Sequence, residues 1–381
     1  MRCSCIVLLY SPMLFLILFI IITNIRAQTG PVAKKNMLIR PFNNTVSALF
    51  VFGDSTVDPG NNNYITTVTK CNFPPYGRDF LNHIPTGRFT NGLLVTDFTA
   101  SYIGLKEIVP PYLDPMLSLE ELMTGVSFAS GGAGFDPVTA QISGAIPLKV
   151  QLEYFKECLM RIENEIGDER TRLLISKAVF LISAGTNDYV VNYFSTQFRR
   201  HSYTIPEYHQ FLLQHAQQFL QDLMAEGARV IGIVGLPPFG CLPVVITVNT
   251  AGSPLLPREC IDSSNAVGKE YNWLLQNMLK NMIKIHGTQV VYGDIYSPLY
   301  DMVQNPNKYG FVDVYSGCCG SGGIFELAIL CNPNSIVCGD AQKFLFWDAV
   351  HPTEATYYNL FKFLRPTIDS IASNKKFLVI E

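Results

Sequence analysis

Ser55 stands in "VFGDSTVDPGNN", Val51 to Asn62, three residues after the apolar run Ala48 to Phe52. A hydroxyl just beyond a buried strand is placed to attack a carbonyl, but serine is a weak nucleophile unless a base takes its proton and a third group orients that base. The six histidines, His83, His201, His209, His215, His286 and His351, are the available bases. Only His351 has an acidic residue three positions earlier, Asp348 in "WDAVHP". Ser55, His351 and Asp348 are therefore the candidate nucleophile, base and orienting acid. The same stretch also reads as a helix start, with Pro352 in the first turn and Thr353 and Glu354 favouring an N-terminus. The two readings are compatible, because a residue just ahead of a helix can face a cleft.

Attack on a carbonyl also needs donors for the developing oxyanion. Asn187 in "SAGTNDY" has a side-chain amide, and "FASGGAG", Phe128 to Gly134, has backbone N–H groups in a glycine-rich turn. Each also fits an ordinary turn, and their convergence on one place is what singles them out. Other chemistries lack their signatures. No G-x-S-x-G elbow, G-x-G-x-x-G turn, P-loop lysine or H-E-x-x-H occurs, and the scattered histidines give no metal-ligand set. Neither a metal nor another cofactor is expected.

These residues need a scaffold that brings them together. Short apolar runs at Ala48–Phe52, Ala178–Ile182, Val230–Val234 and Val290–Tyr292 read as strands. Segments of helical period around Leu148–Asn164, Tyr208–Glu226, Asn265–His286 and Thr353–Ile371 alternate with them. That alternation predicts parallel strands covered by helices, with ligands at the carboxyl ends of the strands. Ser55 and "SAGTNDY" each follow a predicted strand, so both loops fall at that edge. With no repeat and no linker rich in Pro, Gly or Ser, residues 48–372 read as one catalytic domain, between a lead-in at 28–47 and a tail at 373–381.

Composition bounds the partners. The 381 residues are 48% hydrophobic and 15% charged, enough apolar material for a large core. A net charge of −3, without a basic cluster among aromatics, argues against nucleic acid. Residues 1–27 read as a secretory signal: Arg2, the apolar stretch Ile6 to Ile22, then Ala27 as a small residue for cleavage. The 17 residues of that stretch, interrupted by Ser11 and Pro12, fall short of the roughly 20 that span a bilayer, so no stable membrane span is expected after cleavage. Eight cysteines follow residue 27, four of them between Gly317 and Cys338. An even count on the secretory route points to disulfides with few or no free thiols, while adjacent cysteines without a nearby histidine suit a zinc site poorly. Asn43 begins the one glycosylation sequon.

Taken in order, "FGDSTVDPGNNN", "PTGRFTNG", "FASGGAG", "SAGTNDY", "GCCG" and "DAVHPTEA" resemble the GDSL esterase/lipase family, the SGNH hydrolases, and its secreted plant branch, from about Leu49 to Leu360. The resemblance implies a three-layer α/β/α flavodoxin-like fold with a mainly parallel sheet. It assigns Ser55 as nucleophile, Asp348 and His351 as its partners, and Asn187 and Gly131 as oxyanion donors, with Gly132 the adjacent alternative. Asp58, Gly60 and Asn61 match supporting positions, and Thr56 stands where leucine is commoner. It further implies an extracellular enzyme of the apoplast or cell wall acting on acyl esters of lipids, polysaccharides or phenolics. Acyl transfer from the same acyl-enzyme, or a non-catalytic binding or defence role, are the alternatives.

Overall fold

The computed structural model describes residues 46–250, 257–286, 288–320 and 331–372. The signal segment, Asn43, most of the lead-in and the C-terminal tail lie outside the described residues. Four strands, β1 Leu49–Gly53, β2 Val179–Ser183, β3 Val230–Val234 and β4 Gln289–Gly293, form one parallel sheet in that spatial order. β3 coincides with its predicted span, and the others lie within one residue of theirs. β1 is buried along its whole length, as a continuous apolar run requires when both sheet faces are covered.

The outer edge of β1 is not left bare. Leu49 and Val51 donate N–H bonds to the Thr124 and Val126 carbonyls, and Phe128 and Ser130 donate back to Val51 and Gly53. This segment is second in the chain but lies outside β1, so the five pieces run 2-1-3-4-5 across the sheet. That is the flavodoxin-like order, in which the chain leaves β1 towards one side and returns on the other as β2. The crevice at this reversal is where such sheets bind ligands.

Helices cover the faces, among them α1 Val95–Tyr102, α2 Leu148–Ile166, α3 Ile205–Ala225, α4 Asp262–His286, α5 Tyr296–Gln304 and α6 Glu354–Ala372. Alternation along β1 sorts the layers. Phe50 and Phe52 point to one side, where Phe52 meets Phe155 of α2 at 5.8 Å and Phe219 of α3 at 5.5 Å between ring centroids. Leu49 and Val51 point to the other, in a cluster with Ala100 of α1. On that side α1 packs on α6, with Phe98 and Phe361 stacked at 6.0 Å. The three-layer α/β/α expectation thus holds.

A feature not foreseen is a second, two-stranded parallel sheet, β5 Asp313–Gly317 and β6 Phe344–Phe346. β6 leads directly into Trp347 and Asp348. Around it Cys318 pairs with Cys338 and Cys319 with Cys331, while Cys241 pairs with Cys260 elsewhere. Cys71 and Cys158 remain as buried free thiols. The expectation of disulfides with few free thiols holds, with six of the eight paired: Cys158 faces inward from α2, and Cys71 packs among Tyr76, Phe89 and Trp347. No helix among the described residues is long and apolar enough to cross a membrane.

Candidate active site

Gly53 ends β1 where it crowds β2. Its φ is +138°, and a Cβ there would lie 1.9 Å from the Ser183 carbonyl oxygen, so only glycine fits. The Gln151 side chain of α2 clamps this exit, accepting the Gly53 N–H and donating to the Gly53 carbonyl, both at 2.9 Å. Ser55 follows within two residues and is therefore displayed from a fixed backbone. Beside it, burial pushes the Asp54 carboxyl up to about 6, outweighing its bonds from Thr56 and the nearby His351.

His351 arrives from the far end of the chain. Its Nε2 lies 2.8 Å from the Ser55 Oγ. Its Nδ1 lies 2.9 and 2.8 Å from the two carboxylate oxygens of Asp348. An ionised carboxylate only accepts, so Nδ1 carries the hydrogen and the bare Nε2 accepts the serine proton. Asp348 is in turn fixed by the Val350 and His351 N–H groups, at 2.9 and 2.7 Å to Oδ1. All three side chains are buried.

The helix reading of the same stretch also holds. Thr353 caps α6 by accepting the Thr356 N–H, and Pro352 lies just before the first turn. "PTGRFTNG" supports this junction, a role that its sequence did not advertise. Thr90 Oγ1 donates to the Pro352 carbonyl at 2.9 Å, and Asn91 Oδ1 accepts the Glu354 N–H at 2.9 Å. Arg88 anchors the loop through two bonds to the buried Asp97, at 2.9 and 2.8 Å. Phe89 lies against the imidazole, 5.0 Å between centroids.

After β2, Asn187 opens a π-helical turn, Asp188–Ser195. Its Nδ2 donates to the Ala133 carbonyl at 2.9 Å, which holds the amide beside the glycine-rich turn. Asp188 ties the two loops together by accepting from Phe135 N, Asp136 N and Thr139 Oγ1. Burial still pushes its carboxyl up to about 7.

One expected donor is already engaged. The Gly131 N–H is donated to Asp58 Oδ2 at 3.0 Å, while Asp58 Oδ1 accepts from Gly60 and Asn61 at 2.8 and 2.7 Å. The neighbouring Gly132 N–H and the Ser55 N–H have no protein acceptor among the described residues. Asp58 and Asn61 brace the turn: Asn61 Nδ2 donates to the Ser127 and Ala129 carbonyls, both at 2.8 Å.

A buried serine, imidazole and carboxylate joined by hydrogen bonds, at the switch point of a parallel sheet, describe a serine hydrolase of the α/β type. The chain belongs to the GDSL-like lipase/acylhydrolase family, whose sequence profile matches residues 49–364. It is 53% identical over 330 residues to the Arabidopsis thaliana protein named GDSL esterase/lipase At5g45960, covering 86% of this chain and 88% of that one. It is 41% identical over 349 residues to GDSL esterase/lipase At1g06990 of the same plant, covering 91% and 95%.

Proposed function

We propose that the chain hydrolyses carboxylic esters through an acyl-enzyme on Ser55. The observation that carries this reading is the 2.8 Å approach of His351 Nε2 to Ser55 Oγ, with Asp348 on the opposite ring nitrogen. His351 takes the proton as Oγ attacks the ester carbonyl, then gives it to the departing alcohol. Asp348 holds the imidazole in the useful tautomer and stabilises the imidazolium. Water, activated by the same base, then releases the acid. The oxyanion is received by the Ser55 N–H, the Asn187 amide and the Gly132 N–H, since Gly131 already serves Asp58.

Residues 48–372 form the catalytic unit in this reading. Secretion to the apoplast or cell wall is supported by the apolar stretch Ile6 to Ile22 before Ala27, and by the three disulfides, which suit an oxidising compartment. Acyl esters of lipids, polysaccharides or phenolics are the substrate classes proposed.

Ser55→Ala tests the mechanism. The protein stays folded, and its ester hydrolysis falls by more than about a thousandfold, as loss of a triad member does. Retention of a tenth of the wild-type rate would remove Ser55 from the mechanism. Product analysis with added alcohol separates hydrolysis from acyl transfer.

A further inference from the structure

The two oxygens of Asp348 are held from different parts of the chain. Oδ1 is fixed locally by its own turn, but Oδ2 is reached by a residue 272 positions away, Tyr76, whose Oη lies 2.7 Å from it. The Tyr76 side chain is buried, packed against Trp347 at 6.2 Å between centroids. Its oxygen also accepts the N–H of Cys331 at 3.1 Å. A phenol has a single hydrogen, and with an amide donating into its oxygen that hydrogen goes to Asp348. Burial pushes the Tyr76 phenol far up, so it stays a donor wherever the enzyme works.

We propose that Tyr76 is a positioning residue for ester hydrolysis, which through its hydroxyl sets both the orientation of Asp348 and the strength with which Asp348 supports the imidazolium. The inference rests on the catalytic reading of Ser55, Asp348 and His351. A hydrogen bond into a carboxylate draws charge from it. With Tyr76 in place Asp348 stabilises protonated His351 less than a bare carboxylate would. Removing the hydroxyl therefore raises the proton affinity of His351 and moves the acidic limb of kcat/KM to higher pH. Because Tyr76 acts through Asp348 and not on substrate, kcat changes and KM does not.

Several other groups face this pair. Asp54 faces His351, Cys71 faces both the Tyr76 hydroxyl and Asp348, and Tyr357 faces Asp54 and Asp348; a neutral thiol is a much weaker acceptor than the carboxylate, so the phenol hydrogen stays on Asp348. Burial pushes the Asp54 carboxyl up to about 6, but Asp54 is present in every protein compared and so its contribution is common to all of them. The same contacts tie the triad to the disulfide-bonded segment. Cys331, the Tyr76 donor, is bonded to Cys319, whose own N–H goes to the Trp347 carbonyl next to Asp348.

Two substitutions with opposite expected signs test the proposal. Tyr76→Phe keeps the ring in the Cys71, Phe89 and Trp347 cluster and removes only the oxygen. Its acidic limb is expected to move up by about half a pH unit to one unit, an ordinary size for an environmental shift, and kcat to fall several-fold at unchanged KM because Asp348 loses the long-range bond that orients it. Placing 3-fluorotyrosine at position 76 acidifies the phenol and strengthens its donation, so the limb moves down. This near-isosteric replacement decides the matter even where Tyr76→Phe fails to fold. A limb that stays in place in the fluorinated protein overturns the proposal and leaves Tyr76 a packing residue. Ser55→Ala and His351→Ala, assayed alongside, keep the two readings apart: their retained activity overturns the triad, whereas their inactivity with an unmoved limb overturns only Tyr76.

Discussion

Asp58→Asn probes the brace beneath the glycine-rich turn. Asp58 is fully buried and accepts from Gly60, Asn61 and Gly131. Burial outweighs these bonds and raises its carboxyl from 3.8 to about 6. The folded protein therefore holds this proton more tightly than the unfolded chain. The stability that follows is fully present below 3.8 and is lost as pH rises through 6. A shift of about two units corresponds to about 3 kcal/mol, of which roughly half has gone by pH 5 and all by pH 8. In Asp58→Asn the retained oxygen still serves Gly60 and Asn61, but an NH2 now faces the Gly131 N–H, a pH-independent cost of about 1–3 kcal/mol. The variant's stability relative to wild type should thus improve by about 1.5 kcal/mol between pH 5 and pH 8. Asp54 and Asp188, raised in the same way, are present in both proteins and cancel. Urea unfolding of both proteins at the two pH values gives the number from the midpoints at equal slope. A stability gap that does not change with pH would refute the reasoning.

Asn187→Ala should lower kcat by about 10² to 10³ with little change in KM, as loss of one oxyanion donor does; a rate within threefold of wild type would exclude the amide from the hole. Asp348→Asn should depress kcat/KM at every pH by presenting the wrong tautomer, and an unchanged profile in a folded variant would make "DAVHP" only a helix entrance. Thiol titration after denaturation should find Cys71 and Cys158 and no others among the eight cysteines beyond residue 27; four or more thiols would contradict the pairing. Phe155→Ala should destabilise by about 3–5 kcal/mol in urea unfolding, because its ring lies 5.2 to 5.8 Å from those of Phe50, Phe52, Phe128 and Phe180. A loss under 1 kcal/mol would mean the ring is not part of the core.

The four strands and four long helices were legible in the sequence because each is announced by local pattern. A five-residue apolar run such as "VIGIV" or a helix with inward residues at Leu148, Gln151, Leu152, Phe155 and Ile162 carries its period within itself. Ser55, Asn187, Asp348 and His351 could be nominated from the sequence as candidates, since each stood in a loop just after a strand or before a helix, and it was the ordered motifs resembling the family that joined them into one set. What bonds to what was not legible. Only the folded chain brings His351 to Ser55 across 296 positions, gives the Gly131 N–H to Asp58, and turns Tyr76 onto Asp348. The β5–β6 pair and the Thr124–Ser130 edge also escaped, since a strand of three residues or a single bridge has too little repeat to be read alone and exists through its partner. Disulfide partners likewise depend on which cysteines the packing brings within bonding distance, which is why an even count left Cys71 and Cys158 unpaired. Local periodicity and residue chemistry are properties of the chain, whereas hydrogen-bond partners and burial belong to contacts between distant segments and are decided only when the layers close.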